Sequence, residues 1–120
     1  RYPLRKFFID ENDSKIFKIV TDYFSAISSV FKEEWYSNDY ILTKTTGYLG
    51  LIMLFPKLYD YSEQSNLSMY DFFEKSFKTI QDGLLEDNKK LTSEYYVSGV
   101  KGQKKLAIDF LKILLDVSDN

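Results

Sequence analysis

The clearest order in this chain is the spacing of its apolar side chains. From about Ser14 to Glu34, the residues Ile16, Val20, Tyr23, Ile27 and Val30 recur at intervals of four and three, tracing one face of a helix. Phe17, Phe24 and Phe31 repeat every seven residues beside them and widen that stripe to the breadth of a core-facing surface. Asp13 or Ser14 is the expected N-cap, because either side chain can accept from the unpaired first-turn N–H groups. Lys15, Lys18, Asp22, Lys32 and Glu33 fall largely on the other side. An aromatic, turn-rich connector follows from Trp35 to Tyr40, where Ser37, Asn38 and Asp39 favour turns by bonding nearby backbone.

A second helix is predicted from Thr45 or Thr46 to about Tyr61. Tyr48, Leu49, Leu51, Ile52, Met53, Leu54, Phe55 and Leu58 leave it almost no polar side, which predicts a buried central helix. Pro56 lacks a backbone donor and should kink this helix or end its regular part. A buried strand over residues 50–55 is the rival reading, and helix is preferred because Leu and Met outnumber β-branched residues there. After a polar loop at residues 62–66, Ser68 is placed to cap a third helix whose Tyr70, Phe73, Phe77, Ile80 and Leu84 repeat at three and four. Asp71 sits in its first turn, at the positive end of the helix dipole. Gly83 is an interior fault costing about 1 kcal/mol against Ala.

Residues 86–90 form a charged break, and residues 91–97 a helical turn or a short extended piece. Ser98-Gly99-Val100-Lys101-Gly102 reads as a flexible turn. A last helix then runs to about Val117 with Leu106, Phe110, Ile113 and Val117 inward, and the final three residues fray. No repeat, low-complexity run or linker divides the chain. Residues 1–120 are expected to form one all-α domain, a compact bundle of about four main helices around a buried central apolar one.

Composition supports this and removes several chemistries. With 120 residues and 44 % apolar content, the chain can bury a real core and is not disordered. Its 16 basic and 18 acidic side chains give a charge of -2, which excludes a generally basic nucleic-acid coat and leaves room for a local basic patch. Histidine and cysteine are absent, so Cys/His zinc sites, thiol redox and Cys–His or Ser–His–Asp catalysis have no residues to use. No cofactor and no metal are expected. A chain without disulfides suits a reducing cytoplasm. The start, Arg1 to Lys6, has neither an initiator Met nor a long apolar region, so the sequence reads as a piece of a longer protein without a visible signal peptide. The longest apolar run, Tyr48 to Phe55, is far short of the roughly 20 residues that span a bilayer, so no membrane partner is expected.

Remaining candidates for chemistry are few. The carboxylate pairs Asp10/Glu11, Glu33/Glu34 and Glu86/Asp87 fall at helix ends or polar breaks, where adjacent acids point apart and water screens them. Asp13-Ser14-Lys15 and Asp87-Asn88-Lys89 match the end of a nuclease metal motif, which such nucleases hold on strands, and neither site reads as strand. No catalytic residue is therefore assigned. Lys101, Gly102, Lys104 and Lys105 have the composition of a phosphate-binding corner at a helix start, with Lys89 and Lys90 able to fold nearby. The spacing is not that of a P-loop, and a flexible helix start with solvated lysines has the same composition. Lys44, Thr45 and Thr46 make a second such start, or an ordinary Thr cap. Trp35, Tyr36 and Tyr40 lie outside the helical spacing and could dock a partner, stack on bases or close one end of the bundle.

The stretch Trp35-Tyr36-Ser37-Asn38-Asp39-Tyr40-Ile41-Leu42-Thr43-Lys44-Thr45-Thr46-Gly47-Tyr48-Leu49-Gly50-Leu51 resembles the C-terminal part of DGQHR-domain proteins, where a Leu, Thr-Lys-Thr-Thr-Gly step leads into an apolar helix. Ser98-Gly99-Val100-Lys101-Gly102 fits their later Ser-Gly-x-x-Gly step into the last helix. Together these short motifs cover about half the chain. Such proteins are bacterial or carried by mobile elements, and some are associated with DNA phosphorothioate modification. Their Asp-Gly-Gln-His-Arg motif lies upstream in a domain similar to ParB-like folds and is absent here, so no functional residue of that domain carries over. The resemblance implies a non-enzymatic helical module beside a DNA-related domain, touching DNA phosphates or packing on the upstream domain of its own chain. The alternative is a protein–protein module docking through Trp35, Tyr36 and Tyr40. Two lysine-rich helix starts on one face would favour DNA, and an apolar patch around Trp35 would favour docking.

Overall fold

The computed structural model describes residues 13–119, and every regular element among them is helical. The first amphipathic stretch splits in two, α1 (Asp13–Val30) and the short α2 (Lys32–Tyr36). The split falls at Phe31, whose φ of -101° and ψ of 51° leave the helical region. That bend turns the Phe31 ring fully inward, stacked on Phe110 and edge-on to Phe77. Asp13 and Ser14 are helical at the edge of the described residues, and the cap expected at one of them lies outside what those residues describe. Trp35 and Tyr36 belong to α2, and the connector shrinks to residues 37–44.

Three long helices follow: α3 (Thr45–Glu63), α4 (Met69–Glu86) and α5 (Val100–Asp119). Their directions follow from the order of their contacts. Along α3 and α5, Thr46 meets Gly102, Gly50 meets Leu106, and Leu58 and Leu114 line one cavity, so the two helices run parallel. α1 and α4 also run parallel, with Tyr23 against Phe73 and, further along, Gln81 Nε2 donating to the Val30 carbonyl. The two pairs oppose each other: Lys89 beyond the end of α4 reaches Asp109 in α5, while Ser76 near the start of α4 shares a cavity with Leu115. The result is an all-α bundle with α2 as a short cap.

Tyr23 is the hub of the core. Its ring is fully buried and packs edge-on against Phe55 and Phe73 at 4.9 and 5.1 Å, and its hydroxyl donates to the Leu51 carbonyl at 2.6 Å. Edge-to-face pairs of this kind add to area burial because the positive ring edge meets a negative face. Phe77, Phe110, Leu51, Leu54 and Leu58 belong to the same buried core. The buried line of α1 is Ile19, Tyr23, Ala26 and Ile27, one residue round from the expected stripe, and it leaves Phe17 70 % exposed. The small Ala26 faces inward, so the predicted Ile16, Val20 and Val30 become flanks.

Two expectations about α3 are corrected. Of the two effects expected of Pro56, ending the helix is overturned, since the helix continues through this exposed residue to Glu63. It is also not buried all round: Tyr48, Leu49, Ile52 and Met53 are each 37–42 % exposed. In a bundle of four long helices each one keeps an outward side, so there is no central position for α3 to occupy.

Ser68 caps α4 as the sequence predicts, its Oγ accepting from the Asp71 N–H at 3.2 Å. The helix ends on Asn88 at φ 55°, with the Lys89 N–H donating to the Leu84 carbonyl and the Asn88 N–H to that of Leu85. This left-handed close satisfies the last carbonyls, and Asn tolerates it better than most side chains. Gly83 is not a fault: a Cβ there would stand 2.4 Å from Ile113 Cγ2, so its bare backbone lets α5 approach. The predicted flexible turn is also shorter than expected. It ends at Gly99, and α5 has begun by Val100.

Candidate functional site

The bundle brings the two lysine-bearing helix starts together. Thr46, near the start of α3, packs directly on Gly102 in the first turn of α5. Lys44, Thr45, Lys101, Lys104 and Lys105 are exposed around that contact, whereas Thr46 and Gly102 are buried in it. A Cβ on Gly102 would lie 1.7 Å from the Val97 carbonyl oxygen, so this glycine serves close packing rather than ligand approach. Neither helix start has an acidic residue in its first turn, which leaves the positive dipole ends unneutralised.

Local partners take up part of the positive charge. Lys105 Nζ sits 4.0 Å from the centre of the Tyr95 ring, a cation–π contact that holds the ammonium against the turn before α5. Lys89 Nζ lies 3.5 Å from Asp109 Oδ1, and the Tyr96 hydroxyl donates to Asp109 Oδ2 at 2.8 Å. Burial and this hydrogen bond, which favours the neutral phenol, push the Tyr96 pKa well up. Buried Asp109 and Tyr96 with half-buried Lys89 thus form a polar brace that ties the turn after α4 to α5. Sequence spacing offered no sign of it, because the three residues come from three segments.

The aromatic connector is divided. Tyr36 is 79 % exposed, whereas Trp35 and Tyr40 are half-buried against the core, Trp35 beside Phe24. Glu33, then burial, Glu34 and Asp39 raise the Tyr40 pKa, which marks the connector as an acidic neighbourhood. It lies at the same end of the bundle as the lysines, since the Ile41 N–H donates to the Leu91 carbonyl.

A larger apolar surface lies elsewhere. Leu49, Ile52, Met53 and Pro56 are exposed at the helical spacing of three and four, along the outer side of α3. Tyr48 extends the patch towards α1 by stacking on Phe24 at 5.2 Å, and Phe17 shares the Phe24 face of α1 two turns earlier. The signal was visible in the sequence, as a helix without a polar side, but it predicted burial where the fold leaves exposure. At the opposite end from the lysines, a cavity of about 480 Å³ opens among Leu58, Tyr61, Phe72, Ser76 and Leu115, with Lys75 as its one charged lining residue among the described residues. Among those residues no group of three or more His, Cys, Asp or Glu side chains could hold a metal, and no helix is long and apolar enough to cross a membrane.

No family model, curated protein or solved structure matches the chain.

Proposed function

We propose that this chain is a non-catalytic helical association module that docks a protein surface through the outer side of α3. The observation that carries this reading is the exposed line of Leu49, Ile52, Met53 and Pro56. Scattered exposed apolar residues are ordinary, but a contiguous stripe on one long helix is a surface shaped for another surface. It displaces Trp35 as the centre of docking, since half-buried Trp35 is engaged with Phe24. The resemblance to DGQHR-domain proteins supplies a context in which the module joins a DNA-related domain to a partner. A photo-crosslinking amino acid at position 52 of the full-length protein should yield a protein adduct in cells, and the same probe at exposed Asp82 on α4 should not. Absence of any adduct at position 52 would overturn the reading.

A second reading rests on the contact between Thr46 and Gly102, which sets two positive helix starts side by side among Lys44, Lys101, Lys104 and Lys105. Such a corner would hold DNA phosphates without reading bases. Anisotropy with a labelled duplex should then show binding that weakens with salt and is lost in the Lys101→Glu/Lys104→Glu/Lys105→Glu variant. Lack of binding at low salt by the folded protein would dismiss it.

A further inference from the structure

The outer side of α3 carries charge at its ends as well as apolar side chains along its middle. We propose that its occupant is a second copy of this chain, bound with the two α3 helices antiparallel about a two-fold axis between Ile52 and Met53. The inference rests on the association reading above and names the partner.

The stripe Thr45, Leu49, Ile52, Pro56, Asp60 and Glu63 follows helical spacing from one end of α3 to the other, and Asp60 and Glu63 are exposed. Its N-terminal end carries exposed Lys44 and no acidic residue in the first turn. Its C-terminal end carries Asp60 and Glu63 and no basic residue in the last turn, exposed Lys57 standing one turn earlier at the margin of the stripe. Within one chain this distribution is unfavourable. Acids at a helix C-terminus face the negative end of the dipole, and a cation at the N-terminus faces the positive end.

An antiparallel copy reverses both penalties. It sets Asp60 and Glu63 beside the positive start and Lys44 of the partner helix, and it does so twice, because a two-fold interface is self-complementary. The same operation places Ile52 against Met53 of the second copy and Leu49 against Pro56. The apolar middle and the charged ends therefore agree on one register. A parallel copy would instead stack like charges at both ends, so the charge pattern selects direction as well as partner.

Sedimentation velocity of the purified chain over a wide concentration series tests this. The expected result is a monomer–dimer equilibrium. Ile52→Lys, at an exposed position, should raise the dimer dissociation constant by about a hundredfold or more, because the symmetry presents the change twice. Its far-UV circular dichroism should stay unchanged. Lys44→Glu should weaken the dimer, and the triple variant Lys44→Glu/Asp60→Lys/Glu63→Lys should restore it. A chain that stays monomeric throughout, or a dimer indifferent to Ile52→Lys, would overturn the proposal. If such a chain still gives an adduct with a different protein from position 52, the second copy is wrong and the association reading stands. If position 52 gives no adduct at all, both fall.

Discussion

Single residues here decide how closely backbones approach and which polar groups tolerate burial. At Gly102 an added methyl would meet the Val97 carbonyl rather than a movable side chain. Gly102→Ala should therefore destabilise the chain by about 1–3 kcal/mol, the usual cost of overpacking, despite its better helix propensity. Urea unfolding of the variant against the parent would show it as a lower midpoint at unchanged slope. Tyr96→Phe removes the donor to Asp109 Oδ2 and should cost about 1–3 kcal/mol at neutral pH. The pH dependence follows from the upward shifts of Tyr23 and Tyr96. A phenol whose folded pKa is raised contributes its stability fully below about pH 10, where unfolded tyrosine titrates, and loses it as pH rises above that. The parent should thus lose stability as pH rises above about 10, and Tyr96→Phe should lose less of its own over the same interval.

Elements are shaped by their ends as much as by their faces. α4 begins with a capping Ser68 and a first-turn Asp71, and it closes with the left-handed Asn88. Ser68→Ala should cost about 1 kcal/mol, read as a drop in thermal midpoint, because the Asp71 N–H loses its acceptor. The turn that Asn88 makes also carries Lys89 back towards Asp109, so the end of one helix positions a brace on another. α3 is the opposite case. Neither end carries charge that suits its own dipole, and its long outer side is apolar, so its stability as an element comes from neighbours.

At the scale of the whole molecule, one cluster links all the long helices. Phe77 is fully buried and touches Tyr23 of α1 and Phe31, which in turn stacks on Phe110 of α5. Phe77→Ala should cost about 3–5 kcal/mol, a large part of the stability of a chain this size. A shared core also implies one cooperative transition. Trp35 is the only tryptophan and packs beside Phe24, while far-UV circular dichroism reports every helix. The two signals should give coincident urea curves, and separated midpoints would show that the bundle divides.

The sequence by itself determined the all-α class, the third and fourth long helices, the Ser68 cap and most core phenylalanines. These follow from local rules, namely period, capping and dipole, that act within a turn or two of helix. Only the tertiary structure decided the break at Phe31, the brace of Lys89, Tyr96 and Asp109, and the pairing of Thr46 with Gly102. Each depends on residues far apart in the chain, for which spacing carries no information. The candidate surface falls between these cases. The apolar residues of α3 are plain in the sequence, yet whether such a helix is enclosed or faces outward depends on how many neighbours the bundle can place around it.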